Sequence, residues 1–292
     1  MMNALAFLAP VLGPVLKFIY QFVNNYGLAI ILFSILMKLL ILPLNIKQQK
    51  SMEEMRKIQP ELAKLNKKYQ NDKEKLQKET MKLYEQHNVN PAAGCLPVLI
   101  QFPIIFALYR VINRPMSYIM GLSVETIRKI VEVMQWDIDV STNNLLMMNE
   151  IKIAHNMTPE VIAKLGDLVP GGLKSIDFTF MGLNLAQTPQ FNQFDVLWII
   201  PILAVLTTFL TSKVSMMTQP SATGGAEDTA ASMNKGMMLM MPLMTGYFCF
   251  MMPSGVGLYW IVNNVLAILQ QLWFNRKLMM EKISSLKKKD GE

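Results

Sequence analysis

One lysine lies inside an apolar segment that is long enough to cross a lipid bilayer. Lys38 is the only ionisable residue in the run from Gly27 to Leu44. A charge near the middle of a span costs about 2.5–3.5 kcal/mol on insertion scales. Two interpretations are open. The ammonium group can extend toward the end of the run, about six residues or roughly 9 Å away along a helix. Alternatively, Lys38 faces a partner or a water-filled cavity and has a function there.

Further polar side chains occur in the apolar segments that follow. They are Gln101 in the second apolar segment (91–113), Thr207, Thr208, Thr211 and Ser212 in the third (196–213), and Asn263, Asn264, Gln270 and Gln271 in the fifth (256–274). Amides and hydroxyls in hydrocarbon need hydrogen-bond partners, and bonds between helices would satisfy each of them singly. Together with Lys38, they favour a cavity lined by polar groups.

The composition is that of a membrane protein. Of the 292 residues, 52% are hydrophobic, and they cluster in stretches close to the length of a span. The net charge is +7, and the basic residues are confined to a few segments. This pattern indicates cytoplasmic loops rather than nucleic-acid binding. The two cysteines, Cys95 and Cys249, both lie in apolar segments and indicate neither a disulfide framework nor a metal site. We predict an all-α polytopic membrane protein without cofactors.

The hydrophobic pattern predicts five transmembrane helices, an interfacial helix and a charged helical hairpin. The hairpin carries one apolar stripe on each arm, and the two stripes are expected to pack together. Pro43 is expected to kink or end the first span, and Thr158-Pro159 to begin a helix. The predicted boundaries are 1–25 for the interfacial amphipathic helix, 26–46 for the first span, 47–90 for the cytoplasmic hairpin, 91–113 for the second span, 114–195 for an extracytoplasmic loop, 196–213 for the third span, 214–235 for a cytoplasmic loop, 236–252 and 256–274 for the fourth and fifth spans, and 275–292 for a basic cytoplasmic tail.

The distribution of lysine and arginine predicts the orientation. With five spans, the N-terminus and the loop 114–195 lie on one side, and the hairpin, the loop 214–235 and the tail lie on the other. The second group holds most of the lysines. Because cytoplasmic loops carry the excess of positive charge, the N-terminus is predicted outside and the C-terminus in the cytoplasm.

Three stretches of sequence together resemble one family. They are Lys38-LLILPL at the end of the first span, Asn90-PAAGCLPVLIQFPIIFALY in the second, and Pro253-SGVGLYW at the start of the fifth. The chain resembles the YidC/Oxa/Alb family of membrane protein insertases, in its short five-span bacterial form. The resemblance covers nearly the whole chain. The loop from Arg114 to Asp195 is longer than this short form requires.

The resemblance implies a function in the bacterial plasma membrane. Members of this family move hydrophobic segments of newly made proteins from the cytoplasm into the bilayer, through a hydrophilic groove and without nucleotide hydrolysis. Such a protein is not an enzyme. The implied partners are nascent membrane proteins, lipid, the ribosome and targeting machinery at the hairpin and tail, and the Sec translocon, without specificity for nucleic acid.

The family most often has arginine at the position of Lys38, five residues before the proline. Lysine is a compact point charge, whereas arginine is a planar fork that binds carboxylates in a bidentate manner. A mechanism that needs only charge and hydration therefore survives the difference. The residues predicted to contact substrate are Lys38, Gln101, Thr207, Thr211, Trp260, Asn263 and Gln270.

Two other functional classes compete with this interpretation. An intramembrane serine protease would need a base for Ser254, but His87 and His155 both lie outside the spans. A small-molecule transporter or channel would predict paired repeats with interrupted helices, and the sequence shows no such repeat. The transporter is the alternative that we retain.

Overall fold

The computed structural model describes residues 8–87, 89, 96–218 and 227–276. The helices are α1 (Ala9–Val23), α2 (Tyr26–Lys68), α3 (Lys73–Gln86), α4 (Leu96–Asn113), α5 (Val124–Val133), α6 (Asn143–Asn156), α7 (Pro159–Leu165), α8 (Ile199–Thr218), α9 (Glu227–Cys249) and α10 (Ser254–Phe274). A π-helix covers Met116–Met120, and 3-10 helices cover Gly166–Leu168 and Val196–Trp198. Strands β1 (Thr179–Phe180) and β2 (Leu183–Asn184) form one antiparallel pair. The predicted all-α polytopic class is confirmed.

Some predicted features lie outside the described residues. They are residues 1–7 of the interfacial helix, residues 91–95 at the start of the second span, which include Cys95, residues 219–226 of the second cytoplasmic loop and the tail from residue 277.

Within the part of the chain that the structure describes, three helical stretches are long and apolar enough to cross a membrane. They are α2, the stretch Val196–Met217 that contains most of α8, and α10. Shorter apolar helices cover Ala9–Val23, Pro103–Asn113 and Met238–Cys249. The chain is therefore a multi-pass membrane protein, and the count of five spans stays a prediction.

The helix α2 continues through Pro43, so the predicted end of the helix at this residue is wrong, and a kink there stays a prediction. It runs for 43 residues and contains both Pro43 and Pro60. Proline is tolerated in membrane helices because neighbouring groups can satisfy the freed backbone carbonyl. The first arm of the predicted hairpin is thus an extension of the first span. The second arm, α3, begins at Asp72, whose carboxylate accepts a hydrogen bond from the backbone N–H of Lys75 at 3.0 Å.

The chain forms two compact units. The first contains residues 1–37, 101–204 and 245–263, and the second contains residues 38–100, 205–244 and 264–292. The divisions fall inside α2, α4, α8, α9 and α10.

The first unit has a large apolar core. The predicted loop 114–195 supplies much of it, since α5, α6 and α7 all bury one face there. The helix predicted at Thr158-Pro159 is present as α7, and the Thr158 hydroxyl accepts a hydrogen bond from the Val161 N–H at 3.4 Å. The largest fully buried side chains of this core are Leu16, Tyr26, Ile30, Phe33, Leu108, Ile112, Met116, Ile127, Ile130, Leu146 and Ile151.

A buried ion pair connects α6 with the residues that follow α4. The Nε of Arg114 lies 3.0 Å from a carboxylate oxygen of Glu150, and Glu150 is fully buried. Ser117 donates its backbone N–H to Glu150 at 2.6 Å and its hydroxyl at 2.9 Å. The carboxylate thus accepts three hydrogen bonds, which compensate part of the cost of burying its charge.

The stability of the first unit should depend on pH through Glu150. Burial raises the pKa of this carboxyl above its ordinary value, and the bonds from Ser117 and Arg114 offset only part of that effect. The folded protein therefore binds the proton more tightly than the unfolded chain does. As pH rises from about 4.3, the ordinary glutamate pKa, through the raised value, the free energy of unfolding should fall relative to a Glu150→Gln variant. Thermal unfolding of the wild type and of Glu150→Gln in detergent across this pH range measures the effect. A stability advantage of the wild type over the variant that is constant or increases with pH would contradict the prediction.

The second unit contains the hairpin. Ile58 and Leu62 on α2 are buried with Leu83 on α3 and with Val89, and Met55, Leu65 and Tyr84 pack around them. This is the contact that the two apolar stripes predict. The lysines of the arms stay exposed, including Lys64, Lys67, Lys68, Lys75, Lys78 and Lys82.

Candidate functional site

Lys38 lies on a polar face of α2. Asn45, Gln49 and Arg56 follow it at intervals of seven, four and seven residues, so all four side chains share one face of the helix. Lys38 is half-buried, and no ion pair or side-chain hydrogen bond to it is found among the described residues. A half-buried ammonium without a counter-charge in an apolar span can attract an acidic or hydrogen-bonding group.

The polar residues of α8 meet an amide of α10 within the second unit. The side-chain amide of Asn264 donates to the hydroxyl of Thr208 at 2.9 Å and to that of Thr207 at 3.2 Å. All three residues are buried. Thr211 donates its hydroxyl to the backbone carbonyl of Thr207 at 2.8 Å. In this structure Thr207 and Thr211 therefore take part in hydrogen bonds within and between helices.

A second α10 amide binds α8 about two turns further along. The amide of Gln271 donates to the hydroxyl of Ser215 at 2.8 Å. Asn264 and Gln271 are seven residues apart and lie on one stripe of α10, as the heptad spacing predicts. Together they form a polar contact between α8 and α10.

Gln270 of α10, and Asn275 directly after this helix, bind the polar face of α2. Asn45 donates its amide to Gln270 at 3.4 Å, and Gln49 donates to the side-chain oxygen of Asn275 at 2.8 Å. Arg56 lies 3.4 Å from the same oxygen. Residue numbers rise together in both helices, so α2 and α10 run parallel here. We call these three contacts, made by Asn45, Gln49, Arg56, Gln270 and Asn275, the polar seam.

The predicted site residues are distributed over both units. Lys38, Thr207, Thr211 and Gln270 belong to the second unit, and Trp260 and Asn263 belong to the first, where both are half-buried. The side chain of Gln101 lies outside the described residues. The roles of these residues toward a substrate stay predictions.

Sequence reasoning missed the polar seam. Asn45, Gln49 and Arg56 were assigned to the end of the span and to a separate hairpin because Pro43 was expected to interrupt the helix. The spacing of seven, four and seven residues from Lys38 was the available signal. It becomes visible only when α2 is treated as one helix. Among the described residues, no group of three His, Cys, Asp or Glu side chains could hold a metal ion.

The helices and the polar contacts between them define a class: a multi-pass membrane protein with hydrogen-bonding and charged groups inside its apolar helices. A family model described as "60Kd inner membrane protein" matches residues 18–282. The chain belongs to this family.

Similar proteins have insertase names. A protein of Fusobacterium nucleatum named "Membrane protein insertase YidC" is 31% identical over 257 residues, which are 88% of this chain and 89% of that protein. Proteins with the same name from Syntrophobacter fumaroxidans and Nitratidesulfovibrio vulgaris are 34% and 32% identical over 92% and 93% of this chain. The chain spans about two-fifths of the length of these two, 38% and 39% respectively.

Proposed function

We propose that this protein is a membrane protein insertase of the bacterial inner membrane. It moves hydrophobic segments of newly made proteins from the cytoplasm into the bilayer through a hydrophilic groove, without nucleotide hydrolysis. Lys38 is the observation that carries the proposal, because it is a cation in an apolar span with no counter-charge among the described residues. The membership of the family and the names of the similar proteins support it.

The mechanism is electrostatic. Moving a polar or acidic segment into the bilayer removes its hydration, which is the main cost of crossing. A cation and nearby hydrogen-bonding groups replace part of that hydration, and Coulomb attraction is stronger where the local dielectric is low. Lys38, with Asn45 and Gln49 on the same face of α2, supplies such groups.

The apolar part of the substrate moves along α9 into lipid. Leu239, Met240, Leu243 and Met244 are each more than half exposed on this helix. Unbranched methionine side chains adapt to apolar surfaces of many shapes, which suits varied substrates.

The orientation and the partners belong to the same proposal. The N-terminus lies outside and the C-terminus in the cytoplasm, because the exposed lysines are concentrated on α3 and the adjoining end of α2. The hairpin and the basic tail meet the ribosome and the targeting machinery there, and the protein works alone or beside the Sec translocon.

Replacing Lys38 with leucine should reduce insertion on the order of tenfold, equivalent to about 1.4 kcal/mol, because the substrate's polar segment loses its cation. Lys38→Arg keeps the charge and should insert substrate at close to the wild-type rate. The measurement is protease protection of an insertase-dependent substrate in proteoliposomes that contain the purified protein.

Two outcomes would count against the proposal. Equal insertion by the wild type and Lys38→Leu would exclude a role for the charge. Lack of insertion by the wild type, together with flux of a small solute across the same liposomes, would favour a transporter.

A further inference from the structure

The segment of α2 between its two internal prolines carries a row of hydrogen-bonding groups. Asn45, Gln49 and Arg56 lie there on the same face as Lys38. Asn45 is seven residues, or about 10 Å, from Lys38 on the hairpin side. A polar segment that follows this face from the hairpin to Lys38 would meet Arg56 first, then Gln49 and Asn45.

In this structure α10 occupies that row. Gln270 accepts from Asn45, and Asn275 accepts from both Gln49 and Arg56. Asn275 is buried, and its own amide donates to the carbonyl of Gln271 at 3.0 Å. While the polar seam is closed, these hydrogen-bonding groups of α2 are therefore engaged by α10.

The contacts of α10 are divided between two neighbours. Gln270 and Asn275 bind α2, whereas Asn264 and Gln271 bind α8. Opening the polar seam therefore breaks none of these side-chain bonds to α8.

The hydrogen bonds of the polar seam are of a kind that substrate groups can also form with α2. Each contact joins an amide or guanidinium to an amide oxygen, and a substrate carboxylate, amide or hydroxyl can accept the same bonds. A buried polar group is costly only when it is left without a partner. When the seam opens, the segment accepts the bonds from α2, and water or an N–H of the segment can donate to the released oxygens of Gln270 and Asn275, so bonds are replaced rather than lost.

We propose that the face of α2 formed by Asn45, Gln49 and Arg56 is a binding surface for the polar segment of a substrate, and that Gln270 of α10 and Asn275, which directly follows α10, release it during insertion. The ligand is a short stretch of chain rich in carboxylates, amides or hydroxyls. This inference rests on the proposed insertase function and adds a surface and a movement to it.

A reversible link across the seam tests the proposal. Gln49 and Asn275 are replaced by cysteine in a chain with Cys95→Ser and Cys249→Ala, and a short bifunctional methanethiosulfonate reagent joins them. The matched control joins Ser215→Cys to Gln271→Cys, which ties α10 to α8. Insertion of the same substrate is measured before linking, after linking and after reduction.

The link from α2 to Asn275 should lower insertion at least fivefold relative to the same variant before linking, and reduction should restore the level of that unlinked variant. The link from α10 to α8 should leave insertion within about twofold of the unlinked protein. Full insertion with the seam linked, or equal loss in both linked proteins, would overturn the proposal. Failure of both proteins to insert substrate before linking, with the wild type inactive as well, would instead contradict the insertase function.

Discussion

Replacing Glu150 with leucine is expected to lower the free energy of unfolding by about 3–5 kcal/mol, because it leaves the buried guanidinium of Arg114 without its counter-charge. It also removes the acceptor of the Ser117 N–H and hydroxyl. Glu150→Gln keeps an acceptor oxygen and should cost less. The proteins are unfolded in mixed micelles with an increasing fraction of denaturing detergent, and the fluorescence of the native tryptophans reports unfolding. This measures the difference in the free energy of unfolding between each variant and the wild type.

Two further variants show whether the cost comes from the buried charge. The double variant Glu150→Leu with Arg114→Met removes both charges and should recover a large part of the loss. Glu54→Leu breaks a pair of the same type, Glu54 with Lys57, whose side chains are 57% and 69% exposed. It should change stability by less than about 0.5 kcal/mol. A loss after Glu54→Leu as large as after Glu150→Leu would show that burial is not the cause.

Replacing Gly257 with alanine should cost about 2 kcal/mol through overpacking. A Cβ atom at Gly257 would overlap the Cγ2 methyl of Ile200, and the β-branched isoleucine has little freedom to turn away. The start of α10 and the start of α8 approach closely here because residue 257 has no side chain. Thermal unfolding of the purified variants in detergent gives the comparison.

Gly255 offers a matched control on the same helix. A Cβ atom there would lie 3.3 Å from a ring carbon of Tyr26 and 3.4 Å from Ile30 and from the carbonyl of Leu185, contacts that small shifts can relieve. Both substitutions replace glycine with alanine near the start of the same helix, so the larger part of their difference comes from the overlap with Ile200. Adding Ile200→Ala to Gly257→Ala should improve stability relative to the single Ile200→Ala variant. A more harmful Gly255→Ala would contradict the assignment.

Local patterns in the sequence predicted local structure well. The stripe through Ile58 and Leu62 predicted the hairpin contact, and Thr158-Pro159 predicted the start of α7, because apolar spacing and capping act within a few residues. The apolar character of α2, α8 and α10 likewise follows from composition alone. These signals do not depend on the rest of the fold.

Contacts between distant residues were not predictable in the same way. Arg114 and Glu150 are separated by 36 residues, and nothing in either neighbourhood indicates the other. The helices α5 and α6 were taken as part of a loop, although their apolar residues form a large part of the first unit's core. Among the candidate site residues, the sequence identified the polar groups in the spans. It did not show that Thr207 bonds Asn264, or that Gln270 bonds Asn45.

The two internal prolines give α2 two positions at which the helix can bend. Pro43 and Pro60 have no N–H to offer the carbonyls of Leu39 and Arg56, so bending costs less at these two points than elsewhere along the helix. The rigid piece between the joints carries Asn45, Gln49 and Arg56. A bend at Pro60 would change the direction of the hairpin relative to this piece, and a bend at Pro43 would change the direction of this piece relative to the preceding part of α2.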